Sequence, residues 1–255
     1  MTGLPLLRPD WTAPPGIDAA MSLRDGGVSP GPWASLNLGL ATGDDADAVA
    51  ENRRRYAAAL GARPVWLRQV HGCDVLQLQA HTPDRPSAPA DAAWTRERGL
   101  ACTVQAADCM PVLLAVRDGR AVAAAHAGWR GLAAGVLQAT VRALCEGSGA
   151  EPAALQAWLG PCIGPRRFEV GDDVLRAFGA DPAAADPLRF VPRPLADGSP
   201  RWMANLPQLA RDRLAAAGVV AVSGGQACTV EDASSFFSFR RDRVTGRLAA
   251  AIWRV

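Results

Sequence analysis

The chain has 255 residues, 49% of them hydrophobic, and its 27 basic and 25 acidic side chains leave a formal net charge of +2. That length and apolar content suit one large core, and so small a charge gives no electrostatic pull toward nucleic acid or a membrane surface, so neither is expected as a partner. Every basic residue is arginine and lysine is absent, which excludes Schiff-base chemistry and the phosphate loop that needs a Gly-Lys-Ser/Thr core.

In chain order, residues 1–32 are rich in Pro and Gly and read as an irregular lead-in with room for one strand. The opening "MTGLPLLRPDW" has no basic start before an apolar stretch, and no apolar run reaches the length of a membrane span; the expected compartment is the cytoplasm. After "SLNLG", Asp44 or Asp45 can cap a helix with Val49, Arg53, Tyr56 and Leu60 at helical spacing, and Gly61 ends it. "PVWLRQV" and "DVLQLQ" predict strands on either side of a tight turn at residues 71–73, and residues 80–90 a Pro-rich surface loop. "LACTVQ" predicts a strand, and "PVLLAVRDGRAVAAAH" a hairpin turning at Asp118–Gly119. Val136, Leu137, Val141 and Leu144 mark a long helix, "LQAWLG" a strand, and "GDDVLRAFG" and "ANLPQLARDRLAAAG" two more helices. The closing "SFFSFRRDRVTGRLAAAIWRV" predicts a hairpin turning near Thr245–Gly246. Without a repeat, a linker or regular βαβ alternation, the expectation is one α+β domain over residues 1–255 with mixed sheets.

Three histidines and six cysteines carry most of the candidate chemistry. His71 and His126 each close a predicted strand, where loops assemble sites. His81 lies in the Pro-rich loop and is not expected to be a ligand. Cys73, Cys102, Cys109, Cys145, Cys162 and Cys228 form no CxxC pair and read as thiols or ligands, not disulfides. Cys102 and Cys145 sit within apolar elements as inert thiols do, whereas Cys109 sits in the turn of "QAADCMPVLL". His71, Cys109 and His126 together form a donor set that zinc accepts, with a fourth position open as in catalytic zinc; copper binds such donors too. "GWRG" then opens a helix, whose free N–H groups beside Arg130 predict an anion site, while Trp129 packs into the core. Asp108, next to Cys109, is either a proton-shuttling carboxylate or the cap of its own turn.

"RQVHG", "ADCMPVLL" and "HAGWRG" resemble the three signature segments of the YfiH, or laccase-domain, family. "SLNLG", "ENR", "GPCIGP", "FEVG" and "FFSFRRDRVTGR" are similar to its secondary segments, in the same order from Ser35 to the C-terminus. The resemblance implies an αββα-layered fold related to cysteine-hydrolase toxins, with metal held by His71, Cys109 and His126. It implies purine nucleoside phosphorolysis, including that of methylthioadenosine, and adenosine deamination; polyphenol oxidation and editing of peptidoglycan precursors also belong to the family. Phe168 and Phe239 stand where tyrosines are expected, a departure that bears on substrate hydrogen bonding and not on metal binding.

Counting residues narrows these activities. An oxygen-reducing copper cluster needs many imidazoles, and once His71, Cys109 and His126 form one centre only His81 is left, so a multicopper laccase cannot be built; weak oxidation at a single copper stays open. The preferred reading is a zinc-dependent purine nucleoside enzyme whose partners are small molecules, a purine nucleoside and phosphate. Arg130 is the first candidate for phosphate, Arg53 and Arg240 come next, Asn37 is a candidate for ribose or base, and Cys162 for the pocket lining. The alternatives are a hydrolase with Cys109 as nucleophile, His126 as base and Asp108 or another polar group orienting the ring, or a structural metal domain closed by Cys73 or Cys162.

Overall fold

The computed structural model describes residues 3–255. Its first half runs β1 (Leu6–Leu7), β2 (Ile17–Ser22), α1 (Ala46–Leu60), β3 (Arg63–Trp66), β4 (Val75–Gln77), β5 (Ala92–Thr95), β6 (Leu100–Ala106), β7 (Met110–Val116) and β8 (Val122–Ala127). The second half adds α2 (Trp129–Ala134), α3 (Val136–Ser148), β9 (Leu155–Leu159), β10 (Glu169–Val170), α4 (Asp172–Ala177), β11 (Phe190–Pro192), β12 (Trp202–Ala204), α5 (Leu206–Ala216), β13 (Ala221–Gly224), α6 (Phe239–Asp242) and β14 (Leu248–Arg254).

Two mixed sheets carry the architecture, one in the order β1-β2-β14-β6-β3 and one in the order β13-β9-β7-β8-β5-β4; a small antiparallel sheet, β10-β12-β11, completes the set. The strands at the centre of the larger sheets are apolar on both faces, because both faces are covered. With the two-residue period of a strand, Leu113, Ala115, Val122 and Ala124 face one way and pack with Met21, Cys102, Val104 and Ile252 of the other sheet. Their neighbours Val112, Leu114, Ala123 and Ala125 face Leu137, Val141 and Leu144 of α3 and Leu209 and Leu214 of α5. On the far side of the five-stranded sheet, Ala20, Ala249, Ala251 and Trp253 pack on Tyr56 and Leu60 of α1. The layers therefore run helix, sheet, sheet, helices. Among the described residues no helix is long and apolar enough to cross a membrane.

Helix α1 begins where the Asp45 carboxylate accepts from the Ala48 N–H at 2.8 Å and ends at Gly61, whose φ of 65° suits glycine. The structure departs from the sequence expectations in several places. The lead-in holds two strands, and β2 is an interior strand paired with both β1 and β14. β3 and β4 do not form a hairpin: they lie in different sheets, β3 paired with β6 and β4 with β5. The long helix is split into α2 and α3 at Gly135, whose φ is 103°. Only β14 of the expected C-terminal hairpin is a strand. Before it, the Ser238 hydroxyl caps the single turn of α6, and Phe236 and Phe237 are drawn into the inter-sheet core.

Candidate metal centre and its cleft

Strand register explains why three residues distant in sequence meet. β7 pairs with β8 so that Pro111 opposes His126 and Met110 opposes Ala127, which sets Cys109 opposite Gly128, just beyond the ladder. Directly opposed residues share a face and alternate residues return to it, so Cys109 and His126 emerge on the same side of the sheet. His71 comes from the turn after β3. Its Nε2 lies 3.7 Å from the Cys109 Sγ, and its ring meets the His126 ring edge-on with centroids 4.8 Å apart. One donor atom from each of His71, Cys109 and His126 lies within 4.8 Å of the others. Tetrahedral zinc, with Zn–S of about 2.3 Å and Zn–N of about 2.0 Å, would hold such donors about 3.5 Å apart. The donor set and its spacing therefore fit a bound metal.

Space for the donors is secured by glycine. A Cβ on Gly128 would stand 2.8 Å from the Cys109 Sγ and 2.9 Å from the His71 Cδ2. His71 itself has a φ of 62°, a conformation that costs energy outside glycine and is characteristic of functional turns.

That turn is held by Asp91, which sequence reasoning missed. Asp91 is fully buried, and its carboxylate accepts from three successive backbone N–H groups, those of Val70, His71 and Gly72, at 2.8–3.0 Å. It also accepts from the Nδ1 of buried His126 at 2.8 Å, which leaves Nε2 as the donor toward the centre. Burial pushes the Asp91 carboxyl up, but the hydrogen bonds from His126, Val70 and Gly72 outweigh it and hold the group below its usual range. Burial likewise opposes charge on Cys109 and His126. The two imidazoles nevertheless pull the Cys109 thiol down to about 6, while the thiolate and Asp91 lift His126 to about 9. The arrangement thus favours a thiolate.

The centre opens into a cleft of about 910 Å³. Its lining includes Arg53, Arg68, Arg85 and Arg247, together with Trp66, Gln105 and the half-exposed ring of Phe239, and it contains no carboxylate. The Pro-rich loop is more than surface, since Arg85, Pro86 and Ser87 border the cleft. The other predicted residues are placed as follows. Asp108 accepts from the Thr229 hydroxyl at 2.6 Å and from the Arg240 N–H at 2.6 Å, so both its oxygens are engaged away from the cleft. Arg240 donates through its guanidinium to the Glu169 carbonyl. Arg130 is exposed, lies over the Trp129 ring at 4.3 Å and does not line the cleft. Asn37 is fully buried and bonds Thr42, Asp44 and the N–H groups of Gly39 and Arg247, a full set of partners within the fold. Cys162 is buried with its thiol pointing to the Ile163 carbonyl, Cys73 is exposed, and neither joins the three-residue group. His81 is exposed and also outside it. Of the missed residues, Arg247 had a signal, the "TGR" segment; Asp91 had none, because the β5–β8 pairing alone brings it to His126.

Comparison with known proteins places the chain in a family. A family profile described as multi-copper polyphenol oxidoreductase laccase matches residues 18–255. A Pseudomonas aeruginosa protein named purine nucleoside phosphorylase is 50% identical over 248 residues, 97% of each chain. The Escherichia coli protein named purine nucleoside phosphorylase YfiH is 48% identical over 98% of this chain and 99% of its own. A crystal structure of a Neisseria meningitidis protein superposes with a TM-score of 0.87 at 42% identity, covering 98% of both chains. The chain belongs to the multi-copper polyphenol oxidoreductase laccase family and is a relative of the YfiH proteins.

Proposed function

We propose that the chain is a zinc-dependent purine nucleoside phosphorylase. The observation that carries this reading is the cleft itself: a His-Cys-His centre beside four arginines, with no carboxylate on the walls. Phosphorolysis breaks the bond between ribose C1′ and the purine nitrogen and joins a phosphate oxygen to C1′. The purine leaves with the electron pair and takes up a proton. An anionic nucleophile needs fixed cations and no competing acid. Arg247 supplies one: its backbone N–H is anchored on Asn37, and its guanidinium donates to the carbonyls of Thr245 and Gly246 at the cleft wall. The exposed face of Phe239 offers an apolar surface for the base. His71, Cys109 and His126 would hold the zinc, which when bound supplies a Lewis acid at the cleft floor. Asp91 keeps the His126 Nε2 directed at that point. The names of the relatives support a purine nucleoside and phosphate as the substrates.

Adenosine deamination at the same centre fits less well, because it requires a carboxylate to move protons. The cleft lining has none, and Asp108 is committed to Thr229 and Arg240. Copper in the same donors would form a single centre and not a cluster, since His81 lies outside the group. One observation favours a second reading. Cys109, His126 and Asp91 line up as nucleophile, base and orienting carboxylate, the arrangement a metal-free hydrolase acting on peptidoglycan precursors would use.

The test is product analysis on adenosine, inosine and methylthioadenosine with and without phosphate. Free base and a ribose 1-phosphate should form only when phosphate is present. Ammonia released from adenosine without phosphate, or turnover indifferent to phosphate, would contradict the reading.

A further inference from the structure

We infer that Arg53 and Arg85, with Arg68 beside them on the cleft wall, form a second anion subsite that takes a phosphate ester carried by the nucleoside itself. The first ground is the absence of counter-charge. Some arginines outside the cleft are neutralised by acids, as Arg54 and Arg55 are by Glu51, Arg63 by Asp84, and Arg166 and Arg167 by Glu231; what sets the cleft apart is four arginines gathered on one lining that holds no acid. Among the described residues, none of the four cleft arginines pairs with a carboxylate, and none is present in the lining to do so.

Local geometry keeps Arg53 in place and unneutralised and fixes the loop that carries the exposed Arg85. The Arg53 guanidinium lies 4.1 Å over the Trp66 ring, and its Nε donates to the Leu38 carbonyl at 2.9 Å. The terminal nitrogens of Arg53 have no hydrogen-bond acceptor among the described residues. Arg85 sits on a loop that is fixed rather than loose. Arg63 donates to the carbonyls of Ala80 and Thr82 at 2.9 Å, and the Trp66 N–H donates to the Asp84 carbonyl at 2.7 Å. The carboxylate of Asp84, the chain neighbour of Arg85, is held by Arg63 at 2.6 Å. Burial and the nearby Arg85 charge pull Arg53 down to about 10, as two like charges gathered without an acid between them require.

Charge balance gives the ligand class. Orthophosphate near Arg247 answers the need of the nucleophile, and an unmodified nucleoside is neutral. Arg53, Arg68 and Arg85 are then left with nothing to bind. A phosphate ester brings the missing charge, and guanidinium groups recognise it through charge-assisted, often bidentate hydrogen bonds. The nucleoside part of this ligand rests on the phosphorylase reading; the phosphate part rests on the arginines alone.

The experiment is calorimetric binding, without turnover, of adenosine, adenosine 5′-monophosphate, ribose 5-phosphate and orthophosphate. It uses the wild-type protein and the Arg53→Gln and Arg85→Gln variants at one ionic strength, with thermal melts to show that the variants are folded. In the wild type the monophosphate should bind at least about tenfold more tightly than adenosine, and either variant should lose most of that advantage. If ribose 5-phosphate binds through Arg85 and no purine compound binds better, the subsite stands and the purine reading fails. Equal binding of adenosine and its monophosphate overturns the proposal. So does an advantage that survives in both folded variants, or a dependence on Arg85 shown by orthophosphate alone.

Discussion

The turn at 70–72 and the turn at 107–109 both deliver a donor to the centre, and both contain a non-glycine residue with positive φ, His71 in one and Asp108 in the other. Each depends on a buried aspartate, but the two aspartates are wired differently. Asp91 reaches across from the start of β5, gathers three N–H groups of the first turn and orients His126, so one carboxylate positions two of the three donors. Asp108 lies inside the second turn and faces away, binding Thr229 and the N–H of Arg240 in the C-terminal segment that goes on to supply Arg247. The first aspartate therefore builds the centre and the second ties the centre to the cleft wall. Adjacency in sequence pointed to Asp108; the chemistry of the donors depends on Asp91.

The largest effect separating the two should come from Asp91→Asn. The amide cannot accept from all four donors, so a buried N–H is left unpaired at a cost of about 1–3 kcal/mol, and metal affinity should fall about 10–100-fold as supports of metal ligands typically do when lost. Urea unfolding and metal titration measure both; metal affinity within twofold of the wild type would contradict the role given to Asp91. Asp108→Asn should spare metal content and instead raise the KM for phosphate or nucleoside, by about tenfold if one charge-assisted contact to the wall is lost. Loss of metal with an unchanged KM would reverse the assignment.

A subtler effect lies in pH. In the metal-free protein the Cys109 contribution to stability is fully present above the unfolded thiol range and is lost as pH falls through about 6. The His126 contribution is present below the unfolded histidine range and is lost as pH rises through about 9. Between those limits the two contributions slope in opposite directions and nearly cancel, so the metal-free wild type should be almost flat there, and Cys109→Ala, which removes the rising contribution alone, should tilt the urea-unfolding profile toward lower stability at high pH. A variant profile parallel to the wild type would refute the pairing. The smallest effect belongs to Arg130→Ala, which should change phosphate dependence less than twofold, since Arg130 is exposed and stacked on Trp129 outside the cleft.

Much of the architecture was legible where local chemistry decides it. Asp45 and Gly61 bound α1, and Asp118–Gly119 turns β7 into β8, because caps and tight turns depend on a few adjacent residues. The three donors could be named because few imidazoles exist and each donor stands at or beside a strand end. Sheet membership was not legible: β3 and β4 look like a hairpin, and only long-range pairing sends them to different sheets. The same holds for Asp91, which lies 35 residues from His126 in sequence. Arg85 could not be singled out among 27 arginines, because what distinguishes it is its place on one cleft wall with three other arginines and no carboxylate in the lining.

The metal-centre and hydrolase readings part at the Cys109 sulfur. As a metal ligand its lone pair is engaged, so alkylation should be slow in zinc-loaded protein, fast after chelation, and slow again when zinc is restored, with activity following the metal. As a nucleophile it would be a reactive thiolate in the untreated enzyme. Alkylation of Cys109, followed alongside metal content and activity through one cycle of chelation and zinc addition, decides between them. Protection by zinc with activity lost and regained is the predicted result. Full activity in metal-free protein, abolished by stoichiometric labelling of Cys109, would contradict it.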